Sequence, residues 1–385
     1  MGVSDEAGRR PVRLINARVM APEETGATEL AVADGVIVET VPGAVEIDCA
    51  GDILMPGLID LHTDNIEHHF HPRPGVTWPS ALGAALAHDA QMMTAGITTV
   101  LDSLSLGDYD TAGVRTRMLN AAIGGLDQAH AAGLLRVDHH FHFRCELSDG
   151  GLLPIIEAHV DNPRLKLMSM MDHTPGQRQW HDVALYREFR RKKNNRVWSD
   201  EEWQAYLDDR SAQQRRFVPE ARALIARHGR DKQIRLASHD DTTVADVEES
   251  ANDGIAISEF PTTMVAAEHA RKRGQQIVMG SPNVVLGGSH SGNVGAMTLA
   301  EAGLLDTLTS DYVPASLLPA AVLVGERLGD LGRGLAMVTR TPAALIGFDD
   351  RGSLEPGRRA DLLRIRMVEG QPVITGMWVE GERRL

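Results

Sequence analysis

The sequence predicts an α/β protein: a (β/α)₈ TIM-like barrel with a small β-sandwich domain built from both termini. Three observations lead to this prediction. The length of 385 residues exceeds what one small core usually supports. Between about residues 56 and 345, short apolar runs alternate with helical patterns, which is typical of parallel βαβ units. Both ends of the chain instead carry short strand-like runs separated by Gly and Pro.

The two chain ends predict the sandwich. Residues 12–50 contain four short runs that alternate weakly between apolar and polar residues. After a turn at 352–357, the runs 360–365 and 372–381 have the same texture. We therefore divide the chain into an N-terminal sandwich part (1–55), a barrel (56–345) and a C-terminal sandwich part (346–385).

The middle segment contains eight strand candidates, which favours a closed barrel over an open doubly wound sheet. They are residues 53–61, 97–102, 134–145, 164–172, 233–238, 254–259, 276–280 and 307–310. In such barrels the C-terminal ends of the strands carry the chemistry. The polar side chains that end or follow these strands are therefore the candidates for a functional site.

Composition and charge exclude several function classes. The hydrophobic fraction of 43% and charged fraction of 24% are those of an ordinary globular protein. A net charge of −14 argues against sequence-independent nucleic-acid binding and against an anionic membrane surface. Two cysteines, Cys49 and Cys145, give no disulfide framework. The charged N-terminus lacks an apolar signal region and we find no run of about 18 apolar residues, so we expect a cytoplasmic location.

The first barrel strand ends in a pair of metal-ligand types. His62 and Asp64 are two residues apart, and on a strand such positions point the same way. The imidazole and the carboxylate can therefore converge on one ion, such as Zn²⁺ or Mn²⁺. A single His-x-Asp triplet is a weak signal, and its weight comes from the strands that follow.

Four later strand ends supply further ligand types. Glu146 ends the third strand, on the face that would line the barrel interior, while His173 and His239 follow the next two strands. Asp311 follows the last strand. Each residue alone has a structural alternative: a carboxylate paired with Arg144 or a His, a satisfied His, or an Asp in a turn or cap. Ligand types at five strand ends together are much harder to obtain from unrelated structural needs.

These side chains suit metal-dependent hydrolysis. Imidazoles would hold the ions, Glu146 would bridge them, and Asp311 would orient or deprotonate the attacking water. His, Asp and Glu ligands fit Zn, Mn, Fe and Co. We expect one or two divalent ions, with zinc first and Mn or Fe as alternatives.

One loop suits phosphate oxygens. Residues 287–293 contain three glycines that allow close backbone approach, and Ser289, His290 and Asn293 offer hydrogen-bond donors. A flexible loop without a ligand is the alternative. This loop favours a small anionic, phosphorylated substrate.

The segment after the fourth strand is charged. Gln177 and Arg178 follow His173 closely and so lie at the metal end of the barrel, where they could bind substrate. The rest of the segment 174–216 reads as helical, with basic residues between 187 and 196. These charges could attract a polyanion or form a solvated helical face, and the sequence leaves both open.

These stretches together resemble the amidohydrolase superfamily and, more narrowly, the diphosphatases of the carbon–phosphorus lyase pathway. The resemblance runs from about residue 50 to 325. It is carried by residues 55–65, 96–102, 142–146, 171–179, 237–243, 258–263, 287–293 and 310–314.

The resemblance implies hydrolysis of a ribose 5-triphosphate to the 5-phosphate and pyrophosphate, through attack of a metal-activated water on the α-phosphorus. It makes Asp311 and Glu146 catalytic, with Asp311 as general base. It implies the metal ligands His62, Asp64, Glu146, His173, His239 and Asp311, and the substrate-binding residues Asn65, Gln177, Arg178, Ser289, His290 and Asn293. It also implies a homodimer.

The sequence departs from the superfamily pattern in two ways. Asp64 stands where most members have a second His, and Glu146 stands where many use a carboxylated Lys. The strand count also puts Glu146, His173 and His239 on strands three, four and five. In the superfamily the corresponding ligands lie on strands four, five and six. This difference predicts that one strand is missed or wrongly divided. Two other functions stay open: a C–N hydrolase of the same fold (cyclic amidase or deaminase), and an inactive scaffold.

Overall fold

The computed structural model describes residues 10–20, 25–73, 75–107, 114–194, 197–289 and 292–385. Strands from both chain ends form two small sheets beside a barrel. These strands are β1 (Val12–Ile15), β2 (Arg18–Val19), β3 (Leu30–Ala33), β4 (Val36–Val38), β5 (Val45–Asp48) and β6 (Ile53–Pro56) before the barrel, and β15 (Leu362–Val368), β16 (Gln371–Val379) and β17 (Glu382–Arg383) after it.

The two small sheets form the predicted sandwich. One has the strand order β4-β3-β1-β5 and the other β17-β16-β15-β6-β2. Leu14 and Ile37 from the first sheet share a buried apolar cluster with Leu54, Leu362 and Trp378 from the second. N-terminal β6 pairs antiparallel with C-terminal β15, so both ends of the chain are needed to complete this domain.

Eight parallel strands form the barrel, as predicted, with neighbours paired in chain order. They are β7 (Leu58–Thr63), β8 (Ile97–Leu106), β9 (Asp138–Glu146), β10 (Leu165–Met171), β11 (Arg235–His239), β12 (Ile257–Glu259), β13 (Gln276–Gly280) and β14 (Thr307–Thr309). Each of the eight predicted strand positions is occupied. Glu146, His173 and His239 therefore lie at barrel strands three, four and five, and the expected miscount of barrel strands is wrong.

One predicted strand is nevertheless divided. The run 53–61 was expected to be continuous, but Gly57 separates β6 in the sandwich from β7 in the barrel. A Cβ on Gly57 would lie 2.2 Å from Oγ1 of Thr98, so only glycine fits where the chain crosses between the two domains. The third strand also begins later than predicted. The predicted run starts at residue 134, whereas β9 starts at Asp138.

The ends of the first and last strands meet directly. The backbone N–H of Asp64 donates to the carbonyl of Asp311 (2.8 Å), and the N–H of Asp311 donates to the carbonyl of His62 (2.9 Å). Asp60 reinforces this contact by accepting from Oγ1 of Thr309 (2.5 Å). These bonds bring residues that are about 250 positions apart in sequence to one place.

Helices cover the barrel. Those described are α1 (Ile66–Phe70), α2 (Ala81–Thr94), α3 (Val114–Ala131), α4 (Leu152–His159), α5 (Val183–Asn194), α6 (Asp200–Lys232), α7 (Val244–Asn252), α8 (Met264–Lys272), α9 (Ser281–Val285), α10 (Ala296–Glu301), α11 (Leu317–Leu328), α12 (Leu331–Ala336) and α13 (Arg340–Ile346). None of these described helices is long and apolar enough to cross a membrane.

The third strand alternates between an apolar face and a polar face. Phe141, Phe143 and Cys145 pack in the apolar layer beneath the helices. His142 points inward, where its Nδ1 lies 3.0 Å from the carbonyl oxygen of Leu61. The strand therefore presents its polar face, which includes His142 and Arg144, to the barrel interior.

Candidate metal centre

A first group of ligand atoms joins the two ends of the barrel sheet. His62, Asp64 and Asp311 each offer one atom, and these three atoms lie within 4.8 Å of one another. His62 is fully buried on β7, Asp64 follows that strand, and Asp311 follows β14. Gly280 leaves room for Asp311, because a Cβ there would lie 3.2 Å from its Oδ2.

A second group lies beside the first. His173, His239 and Asp240 also bring their ligand atoms within 4.8 Å of one another. The imidazoles of His62 and His239 are nearly parallel, with ring centroids 6.1 Å apart. The two groups therefore form one polar centre at the C-terminal ends of the strands.

Glu259, which our sequence analysis did not select, holds both of these imidazoles. Its Oε1 lies 2.7 Å from Nδ1 of His62, and its Oε2 lies 2.7 Å from Nδ1 of His239. A carboxylate only accepts, so each Nδ1 carries a proton, and in the neutral form of each imidazole Nε2 keeps a free lone pair. Glu259 ends β12, so the strand-end criterion that identified the other residues could have found it.

Glu146 plays the same part for His173. Its Oε2 lies 2.6 Å from Nδ1 of His173, and its Oε1 accepts from the backbone N–H of that residue and from Oγ of Ser148. This places Glu146 beside His173 and outside the two groups as they stand without ions. Its expected role as a carboxylate that bridges two ions stays a prediction. Asp240, which directly follows His239, takes the acidic position in the second group.

The residues present fit divalent cations. In the part of the chain that the structure describes, Nε2 of His62 and Oδ2 of Asp240 are buried without a hydrogen-bond partner. Such atoms are costly unless a ligand satisfies them. Neutral imidazole nitrogens and carboxylate oxygens are the donors that Zn²⁺ and similar ions prefer, and carboxylates behind the imidazoles are typical of such sites.

The charges of the centre are strongly coupled. Burial alone would lower the pKa of His62, but the Glu259 and Asp64 carboxylates outweigh it and raise that pKa to about 10. For His173, Glu146 and Asp240 similarly overcome burial and raise the pKa to about 9. Excess negative charge therefore attracts cations, whether protons or metal ions.

Asp311 behaves differently from Asp64. Burial raises the pKa of Asp311 above its usual range, and the neighbouring Asp64 charge adds to this increase. Burial would also raise the pKa of Asp64, but Arg144 and His62 hold it below its usual range. Two carboxylates with opposite shifts suit different roles, and the raised one suits proton transfer.

Three residues of the centre have left-handed backbone conformations. Asp240 (φ 59°), Phe260 (φ 55°) and Asp311 (φ 56°) each follow a barrel strand closely. Such conformations are uncommon outside glycine and cluster at functional sites. The Phe260 ring packs against the imidazoles of His62 (5.1 Å) and His239 (5.4 Å), which further restricts their orientation.

A cavity opens from this centre. His239, Asp240 and Asp311 line it on the metal side, together with Arg144 from β9. The lining also includes the glycine-rich loop and residues next to it, namely Gly288, Ser289, Asn293, Asn283, Leu286 and Val294. Two of the predicted substrate residues, Ser289 and Asn293, thus face the same cavity as the ligand groups. His290 lies outside the described residues.

Three other predicted substrate residues lie elsewhere. Arg178 has a left-handed backbone (φ 45°), and its buried guanidinium pairs with Asp241 and with Glu249 (3.1 Å) instead of facing the cavity. The neighbouring Gln177 does not line the cavity, whereas Gln179 does. Gln177 directly precedes a short 3₁₀ helix at Arg178–Trp180, and Gln179 lies within it.

Asn65 turns toward helix α2. Its Nδ2 donates to Nδ1 of His88 (3.0 Å) and to Oε1 of Gln91 (3.0 Å). Nε2 of His88 lies 2.6 Å from Oδ1 of Asp102, and Oδ2 of Asp102 lies 2.8 Å from Nδ1 of His139. Asn65 therefore begins a buried polar network between α2 and the barrel strands, and it does not reach the cavity.

Three side chains of the basic helical segment have acidic partners. Arg187 pairs with Asp200 (2.8 Å), while Arg191 (2.7 Å) and Lys192 (3.6 Å) pair with Glu188. Residues 195 and 196 lie outside the described part of the chain. These contacts favour the solvated helical face over the polyanion-binding alternative for this segment.

The chain is similar to a curated enzyme over most of its length. The α-D-ribose 1-methylphosphonate 5-triphosphate diphosphatase of Escherichia coli strain K12 is 43% identical over 340 residues, which cover 88% of this chain and 89% of that protein. A model described as Amidohydrolase family matches residues 198–369.

Two solved structures have the same fold. N-isopropylammelide isopropylaminohydrolase from Burkholderia multivorans superposes with a TM-score of 0.64 at 16% identity, covering 97% of this chain and 98% of that chain. For 5-methylcytosine deaminase from Klebsiella pneumoniae the TM-score is 0.62 at 13% identity, with 97% of each chain covered. From the fold and this similarity, the chain belongs to the amidohydrolase superfamily and, within it, to the family of α-D-ribose 1-methylphosphonate 5-triphosphate diphosphatases.

Proposed function

We propose that this protein hydrolyses α-D-ribose 1-methylphosphonate 5-triphosphate to the 5-phosphate and pyrophosphate, in phosphonate catabolism. One observation carries the proposal: two groups of metal-ligand atoms share a cavity with the donor-bearing, glycine-rich loop. A phosphoanhydride needs both parts, because the reacting phosphorus and the leaving group each carry negative charge.

We infer that His62, Asp64 and Asp311 hold one divalent cation and that His173, His239 and Asp240 hold a second. Glu259 and Glu146 would orient the three imidazoles from behind, through the Nδ1 contacts described above. When bound, such ions lower the pKa of a coordinated water from 15.7 to about 7 and neutralise charge on phosphoryl oxygens. Zinc is the first expectation, with Mn or Fe as alternatives.

Asp311 is the general base in this proposal. Water attacks the α-phosphorus, the bond from that phosphorus to the bridging oxygen breaks, and pyrophosphate leaves. The proton of the water passes to Asp311, whose burial raises its pKa toward the range that suits a base. The backbone contacts of Asp311 to His62 and Asp64 fix its position beside the first ligand group.

Ser289 and Asn293 would bind phosphate oxygens in the cavity. Both line it, and Gly288, which has a φ of 159°, lets the backbone approach closely. This role follows from their placement and their chemistry. It leaves Asn65, Gln177 and Arg178 out of substrate binding.

The test is product analysis by phosphorus NMR. Protein reconstituted separately with Zn²⁺ and Mn²⁺ should convert the triphosphate to pyrophosphate and the 5-phosphate. An Asp306→Asn variant should keep this activity, because Asp306 pairs with Arg271 outside the cavity. Release of orthophosphate would mean attack at the γ-phosphorus. No turnover with either metal would favour the C–N hydrolase alternative and a screen of cyclic amides and aminopurines.

The cytoplasmic location and the homodimer stay predictions. Size-exclusion chromatography with light scattering would measure the oligomeric state directly.

A further inference from the structure

Arg144 has a special place in the cavity. It lies on β9, its side chain is 16% exposed, and it is the only arginine or lysine among the described residues that line the cavity. Burial would lower its pKa, but Asp64, Glu259, Glu67 and Asp311 raise it above the usual value. The side chain therefore presents a permanent positive charge beside the ligand groups.

The guanidinium uses only part of its donor capacity on Asp64. One nitrogen, Nη1, donates to both carboxylate oxygens of Asp64, at 2.8 and 2.7 Å. Nε is buried and has no hydrogen-bond partner among the described residues. A guanidinium offers five donors in a planar fork that matches two phosphate oxygens. The contact with Asp64 thus uses only Nη1 and not the paired donors of the guanidinium. Its partner, Asp64, is itself a candidate metal ligand.

We propose that Arg144 binds the polyphosphate of the substrate, and that Asp64 occupies its guanidinium until a cation is bound. When Asp64 ligates a cation, its carboxylate charge is shared with that ion and its hold on Arg144 weakens. The guanidinium can then bind oxygens of the pyrophosphate portion of the substrate. Cation binding and anion binding are coupled through this one ion pair. The inference rests on the proposed function for its substrate, and on the Arg144–Asp64 geometry for its mechanism.

The alternative is that Arg144 serves only as the structural counter-ion of Asp64. The two accounts differ in what happens when Asp64 loses its charge. If Arg144 is only a counter-ion, loss of the Asp64 charge does not improve anion binding. If Arg144 is an anion-binding residue, loss of that charge frees its guanidinium to bind an anion. Inorganic pyrophosphate is a suitable probe because it represents the leaving group without the sugar.

The first experiment uses metal-free protein and calorimetry. Asp64→Asn should bind pyrophosphate about tenfold or more tightly than the wild-type protein, because one charge-assisted contact no longer competes. Asp306→Asn is the matched control and should bind like wild type. Equal affinities of wild type and Asp64→Asn would overturn the proposal.

The second experiment uses protein loaded with Mn²⁺, with metal content measured on each sample. Arg144→Met and Arg144→Lys should both weaken pyrophosphate binding, by about 10- to 100-fold for Met. Lys should recover only part of the loss, because it lacks the fork. Arg235→Met, at the start of β11 and exposed, should have no effect. Unchanged pyrophosphate affinity in Arg144→Lys and Arg144→Met, or a loss fully explained by lost metal, would refute the proposal.

Failure of this inference can be separated from failure of the proposed function. If the wild-type protein hydrolyses the triphosphate but the Asp64→Asn protein and the Arg144 variants all bind pyrophosphate like wild type, only the inference fails. If pyrophosphate binding follows the prediction but no triphosphate is cleaved, the anion site stands and the assigned reaction fails.

Discussion

Replacing Glu259 by glutamine tests how the metal centre is held together. The carboxylate accepts one bond from Nδ1 of His62 and one from Nδ1 of His239, both at 2.7 Å, and the residue is only 1% exposed. A glutamine has one accepting oxygen and one donating nitrogen, so it can satisfy only one of the two imidazoles in this geometry. The other imidazole loses a charge-assisted bond worth about 1.5–3 kcal/mol and its fixed tautomer.

We therefore expect Glu259→Gln to lower metal affinity by about 10- to 100-fold. The assay is competition for Zn²⁺ with a chromogenic chelator, and thermal unfolding verifies that the variant is folded. Glu248→Gln is a matched control, because Glu248 also bonds a histidine, His269 at 2.5 Å, but lies at the surface with 40% of its side chain exposed. A folded Glu259→Gln protein with wild-type zinc affinity would refute the proposed role of Glu259.

Three further predictions follow from the same geometry. Asp311→Asn keeps a side-chain oxygen that can ligate a cation but loses the basic carboxylate. At saturating metal it should therefore lower kcat by about 10²–10⁴-fold while bound metal, measured by elemental analysis, stays within twofold; unchanged turnover would remove Asp311 from the mechanism. Arg178→Ala should leave KM unchanged but destabilise the protein by about 3–5 kcal/mol, because it leaves the fully buried Asp241 carboxylate without its counter-ion. A raised KM with normal thermal stability would contradict this. Burial lowers the pKa of His139, but Asp102 and Asp89 raise it to about 9, so the stabilisation from its charge is present below pH 6.5 and is lost as pH rises through 9. The stability difference between wild type and His139→Gln should shrink over that range by up to about 3 kcal/mol, and a difference independent of pH would refute the assignment.

Much of the barrel could be predicted because its signals are local. Each strand is a short apolar run, and each ligand type stands where such a run ends. The strand-end criterion identified five of the six residues in the two ligand groups, namely His62, Asp64, His173, His239 and Asp311. It did not select Asp240, which directly follows His239 and lies one residue beyond the end of β11.

The remaining differences depend on contacts that no local pattern reports. Glu146 lies 2.6 Å from Nδ1 of His173, and sequence spacing does not report that contact. The direction of Arg178 depends on a left-handed residue and a 3₁₀ helix. The break at Gly57 depends on Thr98, which belongs to the next strand. In each case the deciding partner is distant in sequence or is a backbone conformation.

The most direct test of the account is the position of labelled oxygen after hydrolysis in H₂¹⁸O. Attack on the α-phosphorus places ¹⁸O in the 5-phosphate group of the ribose 1-methylphosphonate product and leaves pyrophosphate unlabelled. The isotope shift in phosphorus NMR shows which product carries the label. We predict label in the 5-phosphate alone. Label in the pyrophosphate would mean attack at the β-phosphorus and would contradict the arrangement of substrate, base and ligand groups proposed here.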